Sequence, residues 1–335
     1  MSKILFNHTF EEIISIENLL EGWSEFVVGK RSRTDVQEFE LHLMDNLLDL
    51  HRDLQNKTYK HSKYESFVIT DPKRRLIHKA SVRDRILHRA LYRMLYPFFD
   101  KTFISDSFSC RNEKGTHKAI ERFRDFAYQV SHSHTRTCWV LKCDIKQFFG
   151  SIDHRILIRI LGEYIPDKKI MWLLEKIIES FKTKNLHTVG LPLGNLTSQL
   201  FSNIYMNQFD QFVKHRSKIK YYIRYADDFI FLSDDKLFLE SLIPAIRSFL
   251  LFDLHLTLHP NKVYLKTVAS GVDFLGWIHF PNHRVLRTVT KRRMLKRVVS
   301  HPTNETFQSY FGLLSHGNTI KLQGELHYVD LAMEL

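Results

Sequence analysis

Tyr221-Tyr222-Ile223-Arg224-Tyr225-Ala226-Asp227-Asp228-Phe229-Ile230-Phe231-Leu232 sets two adjacent carboxylates between two apolar runs rich in β-favouring residues. That pattern predicts two strands with the acids at the tip of a tight hairpin. Neighbouring carboxylates at a buried turn repel one another and lose hydration, so a fold that keeps them needs a compensating cation. Hard divalent ions such as Mg²⁺ accept carboxylate oxygens and retain coordination sites for phosphate. The reading that follows is metal-assisted phosphoryl transfer; the alternative is a solvated turn whose acids are merely polar. One hairpin cannot surround two ions, so the first reading needs a further acid from elsewhere.

The candidate lies in Cys138-Trp139-Val140-Leu141-Lys142-Cys143-Asp144-Ile145-Lys146-Gln147-Phe148-Phe149-Gly150-Ser151-Ile152-Asp153-His154. An apolar run leads into Asp144, and a turn and helix start follow, with Ser151 and Asp153 as N-cap candidates. Asp144 reads either as a strand-end metal ligand or as an ordinary strand cap or ion-pair partner. Asp153 reads as a helix cap. Between these two segments, Val189-Gly190-Leu191-Pro192-Leu193-Gly194-Asn195-Leu196-Thr197-Ser198-Gln199-Leu200-Phe201-Ser202-Asn203-Ile204-Tyr205 predicts a loop. A helix should run from Ser198 with Leu200, Ile204 and Phe209 turned inward. A glycine at such a junction lets a ligand or a backbone approach closely.

Taken in order, these segments resemble the palm of reverse transcriptases. Asp144 to Phe149 looks like that family's motif A, Gly190 to Gln199 like motif B, and Tyr225 to Asp228 like the Tyr-X-Asp-Asp of motif C. His259-Pro260-Asn261-Lys262 is similar to motif D, and Val272-Asp273-Phe274-Leu275-Gly276-Trp277 to the Phe-Leu-Gly turn of motif E. Upstream, Lys73-Arg74-Arg75-Leu76-Ile77, Asp84-Arg85-Ile86-Leu87 and Ser107-Phe108-Ser109-Cys110-Arg111 resemble finger blocks of group II intron-like enzymes, as does Gly115-Thr116-His117-Lys118-Ala119. The resemblance runs from about residue 70 to about 280. It implies an α+β right-hand polymerase fold: fingers, a palm whose antiparallel sheet packs on helices, and a short helical thumb. The expected division is an N-terminal helical extension at 1–60, fingers at 61–137, palm at 138–284 (interleaved with fingers around 155–190) and thumb at 285–335.

Motif B narrows the family. Most reverse transcriptases carry Gln-Gly before the small residues and Ser-Pro after them, whereas this chain has Leu193-Gly194-Asn195-Leu196-Thr197-Ser198-Gln199. That pattern, continuing into Asn207-Gln208-Phe209-Asp210-Gln211-Phe212-Val213, resembles the enzymes of diversity-generating retroelements. These copy a template-repeat RNA into cDNA while misreading adenines, and they work with a small basic accessory variability protein. The resemblance therefore implies mutagenic retrohoming with low fidelity at adenines. The alternatives are a retron or antiphage-defence reverse transcriptase of higher fidelity, and a non-catalytic RNA-binding scaffold. Three retained acids beside a polyanion count against the scaffold.

The resemblance also assigns roles. Asp144 and Asp227 would hold two Mg²⁺ ions (Mn²⁺ as substitute), with Asp228 and the backbone of Ile145 assisting. Phe149 would be the steric gate favouring dNTPs, with a core aromatic as the alternative. Lys73 and Arg75, beyond a turn at Asp71-Pro72, would project onto the triphosphate. Leu193, Gly194 and Gln199 would line the nucleotide; an aliphatic Leu193 makes no hydrogen bond and would leave selection to base-pair shape. Lys262 would protonate pyrophosphate or steady the triphosphate. Tyr225, the Phe274-Leu275-Gly276 turn and Lys291-Arg292-Arg293 would meet template and primer.

Composition agrees with a polyanionic partner. The 335 residues carry 49 Lys and Arg against 37 Asp and Glu, a net charge of +12, and are 44% hydrophobic, which suffices for a sizeable core. Basic residues cluster over 74–93 and 291–297, either as solvated helix faces or as tracks for the template–primer backbone. Three cysteines without metal-type spacing predict free thiols in a reducing cytoplasm, and His132-Ser133-His134 reads as a polar loop. No apolar run is long enough for a membrane span. The first 60 residues predict two helices, with capping boxes at Thr9/Glu12 and Thr34/Gln37. Phe10, Ile13, Ile14 and Leu20 line one apolar face, and Phe39, Leu43, Leu47 and Leu50 the other. With no RNase H or endonuclease segment after the thumb, RNA removal and target cleavage are expected from other proteins.

Overall fold

A computed structural model describes residues 4–70, 73–183 and 188–334. The N-terminal region contains four helices, not two: α1 (Phe10–Ile14), α2 (Ile16–Val27), α3 (Thr34–Leu41) and α4 (Leu43–Gln55). Ser15 breaks the first expected helix, leaving the helical region and accepting a bond from the Asn18 N–H to restart it as α2. His42 divides the second by its backbone alone, at φ −124° and ψ 39°, with no side-chain cap. The Thr9/Glu12 capping box forms with both reciprocal bonds. The Thr34/Gln37 box does not: Thr34 is already helical, and Arg33 precedes it without a side-chain cap bond. The apolar faces are placed as expected, with Phe10, Ile13, Ile14, Leu47 and Leu50 buried.

A two-stranded hairpin follows, β1 (Glu65–Ile69) with β2 (Arg75–Lys79). The expected turn at Asp71-Pro72 lies outside the described residues. Helix α5 (Val82–Asp100) is capped by Ser81 and packs on α2. Its arginines are not a free basic track. Arg83 pairs with Asp53 at 2.6 Å, Arg85 with Asp35 at 2.6 Å, and Arg89 and Arg93 with Glu25. These four arginines fasten α5 to the acids of α2, α3 and α4, which corrects the part of the 74–93 reading that falls on Arg83–Arg93.

The centre of the molecule is an antiparallel sheet in the order β4-β5-β3-β6. Helix α6 (Thr116–Val130) precedes β3 (Trp139–Asp144); α7 (Phe148–Ser151), α8 (His154–Gly162), α9 (Lys168–Glu179) and α10 (Leu196–Gln211) follow it. Then come β4 (Tyr222–Tyr225), β5 (Asp228–Ser233), α11 (Lys236–Leu254) and β6 (Tyr264–Thr267). Period-two alternation sorts the strand residues between two faces. Leu141, Cys143, Phe229 and Phe231 enter the large core with α8, α10 and α11. Val140, Ile223, Ile230 and Leu232 face a second core with α6. Asp144 and Asp228 lie on that second face, at the open end of the sheet. Asp153 caps α8 by accepting from Arg155 and Ile156 N–H, whereas Ser151 ends α7 and caps nothing. Helix α10 begins at Leu196, two residues before the predicted start, with Leu200, Ile204 and Phe209 buried.

Three short strands, β7 (Val272–Phe274), β8 (Trp277–His279) and β9 (Arg284–Leu286), form a third sheet. Helices α12 (Thr288–Ser300), α13 (Asn304–Leu314) and α14 (Ile320–Glu334) close around their own apolar cluster of Trp277, Met294 and Phe307. The mixed class expected from sequence is observed. Cys138 and Cys143 are buried and Cys110 exposed, all as free thiols; burial pushes both buried thiols up to about 12.

Candidate active site

The acidic hairpin forms as the sequence predicts. Tyr225 pairs with Asp228, leaving Ala226-Asp227 as a two-residue turn, with Ala226 at φ 56° to close it. Directly across the sheet, Asp144 pairs with Asp228 in the β3–β5 register. Two neighbouring strands and one turn therefore bring all three acids to one end of the sheet.

Their charges are unequally compensated. Lys262 donates to both Asp144 oxygens, at 2.9 and 3.1 Å. The backbone delivers this lysine: His259 N–H donates to the Asp144 carbonyl at 2.8 Å, so the loop before β6 is laid along the end of β3. Lys142 pairs with Asp228 Oδ2 at 2.9 Å. Burial pushes the Asp228 carboxyl up to about 6 against the pull of Lys142. Asp227 is also raised, by burial and then by the Asp144 charge, with Lys262 and Arg75 opposing. Arg75 at the start of β2 is thus near enough for its charge to act on the turn, and Lys73 lies in the exposed stretch before β2.

Beneath the turn sits a group the sequence reading missed. Arg224 and Asp210 are both 0% exposed and pair through Nε and Nη2, with the shortest bond at 2.7 Å. Tyr222 Oη donates to the same carboxylate at 2.8 Å, and Arg224 Nη1 donates to the Ala226 carbonyl at 3.1 Å. Arg224 thereby props the turn from below. The signal for it was a charged residue inside an otherwise apolar strand, facing an acid inside an apolar helix.

The nucleotide-side residues divide. Phe148 is core, while Phe149 is only half-buried, packed on that core with its ring centroid 5.4 Å from that of Phe148. The Leu193-Gly194-Asn195 loop is stitched to β2: His78 N–H donates to the Leu193 carbonyl at 3.0 Å, and Asn195 Nδ2 donates back to the His78 carbonyl at 2.8 Å. Gly194 sits at φ 103°, and a Cβ there would come within 2.7 Å of Ile77 Cγ2. Glycine is needed because the hairpin backbone approaches. Gln199 is half-buried in the first turn of α10.

On the other side of the sheet, Leu275 and Gly276 form the β7–β8 turn, both with positive φ (50° and 90°). Tyr225 Oη lies 3.1 Å from Thr116 Oγ1 and packs in the second core. On α12, Arg292 is exposed, and Lys291 lies 3.7 Å from Glu325 of α14. Arg293 is half-buried on the same helix.

Among the described residues, no three His, Cys, Asp or Glu side chains converge closely enough to hold an ion as they stand. The donor set nevertheless suits a hard divalent cation. The oxygens come from three carboxylates, two with raised affinity for protons, and Asp228 Oδ1 is buried without a hydrogen-bond partner. Two ammonium groups already hold positions beside Asp144 and Asp228. No helix among the described residues is long and apolar enough to cross a membrane.

Residues 60–279 match the family described as reverse transcriptase (RNA-dependent DNA polymerase). Protein YkfC of Escherichia coli K12 is 26% identical over 283 residues, covering 73% of this chain and 72% of that protein. The group II intron-encoded protein LtrA of Lactococcus lactis subsp. cremoris is 28% identical over 135 residues, which is 39% of this chain and 21% of that protein. A truncated apo telomerase from Candida tropicalis superposes with a TM-score of 0.47 at 13% identity, covering 73% of this chain and 59% of that one.

Proposed function

The chain belongs to the reverse transcriptases, the family of RNA-dependent DNA polymerases, and we propose that it is an error-prone one that copies a template-repeat RNA for a diversity-generating retroelement. Members of this family bind template RNA and a nucleic-acid primer and use divalent metal ions, and the fold is of the right-hand polymerase type. In this reading the β1–β2 hairpin and α5–α6 are fingers, the β3–β6 sheet with α8, α10 and α11 is palm, and α12–α14 are thumb.

The observation that carries the catalytic part is the Asp144–Asp228 register pair with Asp227 on the adjoining turn. Asp144 and Asp227 would hold Mg²⁺, with Asp228 assisting; ions bound there acidify the primer 3′-hydroxyl and neutralise the triphosphate. Arg75 binds triphosphate oxygens through its guanidinium fork. Phe149 blocks a ribose 2′-hydroxyl. Lys262, whose ammonium reaches the Asp144 carboxylate, would donate a proton to the departing pyrophosphate.

The subtype is carried by the loop and helix start from Leu193 to Gln199. Leu193 offers the incoming base no hydrogen bond, and a site that lacks one discriminates poorly between pairs of similar shape. The test is primer extension on an adenine-containing RNA with Mg²⁺ and dNTPs, followed by sequencing. Errors concentrated opposite adenine and reduced by Leu193→Gln support the reading. Accurate cDNA moves the enzyme to a retron or defence branch. A small basic accessory protein is the proposed partner, and the reducing cytoplasm the proposed compartment.

A further inference from the structure

We propose that Lys142 is a positioning residue that ties the β7–β8 hairpin to the catalytic carboxylate Asp228, so that one ammonium sets both the acid and the seat of the primer 3′ end. Lys142 lies two residues before Asp144 on the same face of β3, diagonal to Asp228 across the β3–β5 ladder. Its Nζ is 2.9 Å from Asp228 Oδ2 and donates at 2.9 Å to the backbone carbonyl of Asp273, in β7. The same ammonium stands 5.9 Å from the centroid of the Phe274 ring. Two donors of three are therefore committed to different elements, and the side chain is only 12% exposed.

The receiving end is built to feel this tether. Tyr264 Oη donates to the same Asp273 carbonyl at 3.0 Å, so β6 and β3 grip one peptide unit together. Two residues further on, Leu275 and Gly276 make the turn that the resemblance places against template and primer, and the tether concerns its primer contact. A shift of the Asp273 carbonyl cannot be absorbed in between, because Phe274 is buried and both turn residues are already at positive φ. A lysine serving only as counter-ion to Asp228 would have no reason to reach a carbonyl 131 positions away in sequence. The bond to that carbonyl makes the charge pair a mechanical link between chemistry and primer.

The proposal rests on the assignment of the Leu275-Gly276 turn to the primer. It is tested on the full chain with a primer–RNA template duplex carrying 2-aminopurine at the primer terminus, in EDTA, so that binding is read without turnover. Lys142→Met should raise the duplex Kd about tenfold and brighten the terminal fluorophore, the scale expected for losing one charge-assisted bond. The KM for dNTP in Mg²⁺ should stay within twofold of wild type. Tyr264→Phe, which leaves the buried charges intact, should move the same two readouts in the same direction by a smaller factor. Unchanged duplex Kd and fluorescence in both variants, with loss of turnover alone in Lys142→Met, overturn the tether and leave Lys142 a counter-ion. Leu275→Ala separates the premise. If it too leaves duplex binding unchanged, the primer assignment fails; if it weakens binding while Lys142→Met and Tyr264→Phe do not, only the tether fails.

Discussion

Two sets of cation–carboxylate pairs lie on either side of one β-turn, and they differ in nearly every physical respect. Below the turn, Arg224 and Asp210 are fully enclosed, joined by a rigid guanidinium fork, and completed by Tyr222, Asn203 and Ser107. Above it, Lys142 and Lys262 meet Asp228 and Asp144 through single ammonium groups, Lys262 is 45% exposed, and Asp228 keeps an oxygen without a partner. A pair whose every lone pair is used has nothing left for a ligand and serves as scaffold. The Lys262–Asp144 pair, held by an exposed point charge, can be exchanged, while Lys142 stays fixed between Asp228 and Asp273. The contrast teaches that proximity of opposite charges does not identify a site; unfinished satisfaction does.

Exchange is the first thing to test, because it carries the largest effect. Asp144→Ala and Asp227→Ala should each lower primer extension by at least about 100-fold, with thermal unfolding little changed. A variant retaining a tenth of wild-type activity would remove its acid from the catalytic set. The lower pair should behave in the opposite way. Asp210→Asn strands a buried guanidinium and should cost about 3–5 kcal/mol in denaturant unfolding. Arg224→Met with Asp210→Leu should cost much less than the sum of the single changes, since no buried charge then remains. If Asp210→Asn leaves stability intact but abolishes synthesis, the two pairs have been assigned the wrong way round.

The pH dependence distinguishes them more finely. With its folded value raised to about 6 from 3.8, Asp228 contributes stability to the metal-free protein that is fully present below 3.8 and lost as pH rises through 6. A divalent cation binds the ionised form, so stabilisation by Mg²⁺ should grow over the same window. Apparent affinity should weaken up to about tenfold per pH unit below 6. Melting temperatures with and without Mg²⁺ at pH 5 and pH 7.5 measure this, and an equal Mg²⁺ effect at both values would show that Asp228 does not face the ion. The smallest effects belong to the two basic helices. Arg85→Gln on α5 should cost about 1 kcal/mol of stability. Arg292→Gln and Lys296→Gln on α12 should leave stability unchanged and lower the salt slope of RNA binding by roughly one each.

The sequence made the central architecture legible where one period or one turn decides it. Apolar, β-favouring runs around Asp144 and Asp227 placed β3, β4 and β5, and the resemblance placed a turn at Leu275-Gly276. Asp153 was read as a cap and is one. Lys262 was legible as a candidate, but its pairing with Asp144, and Lys142 as the partner of Asp228, were not. The partner of Asp228 is Lys142 from another strand, and that of Asp144 lies 118 positions away, so no local spacing reveals either. The α5 arginines looked like a nucleic-acid surface because their acids sit on helices 30 to 70 residues upstream. The N-terminal helices were miscounted for a local reason: Ser15 satisfies one helix end and the next start at once, a substitution of side chain for backbone that periodicity does not register.

The seam between β2 and the Leu193-Gly194-Asn195 loop carries a consequence for how such an enzyme can be altered. Two hydrogen bonds and the Ile77–Gly194 contact tie the hairpin proposed to hold the triphosphate to the loop proposed to face the base. Any displacement of β2 would therefore carry the Leu193 loop with it, so in the proposed reading hold on the nucleotide and choice of base are coupled. A variant selected for faster incorporation through changes in β2 would inherit a new error spectrum without any change at residue 193.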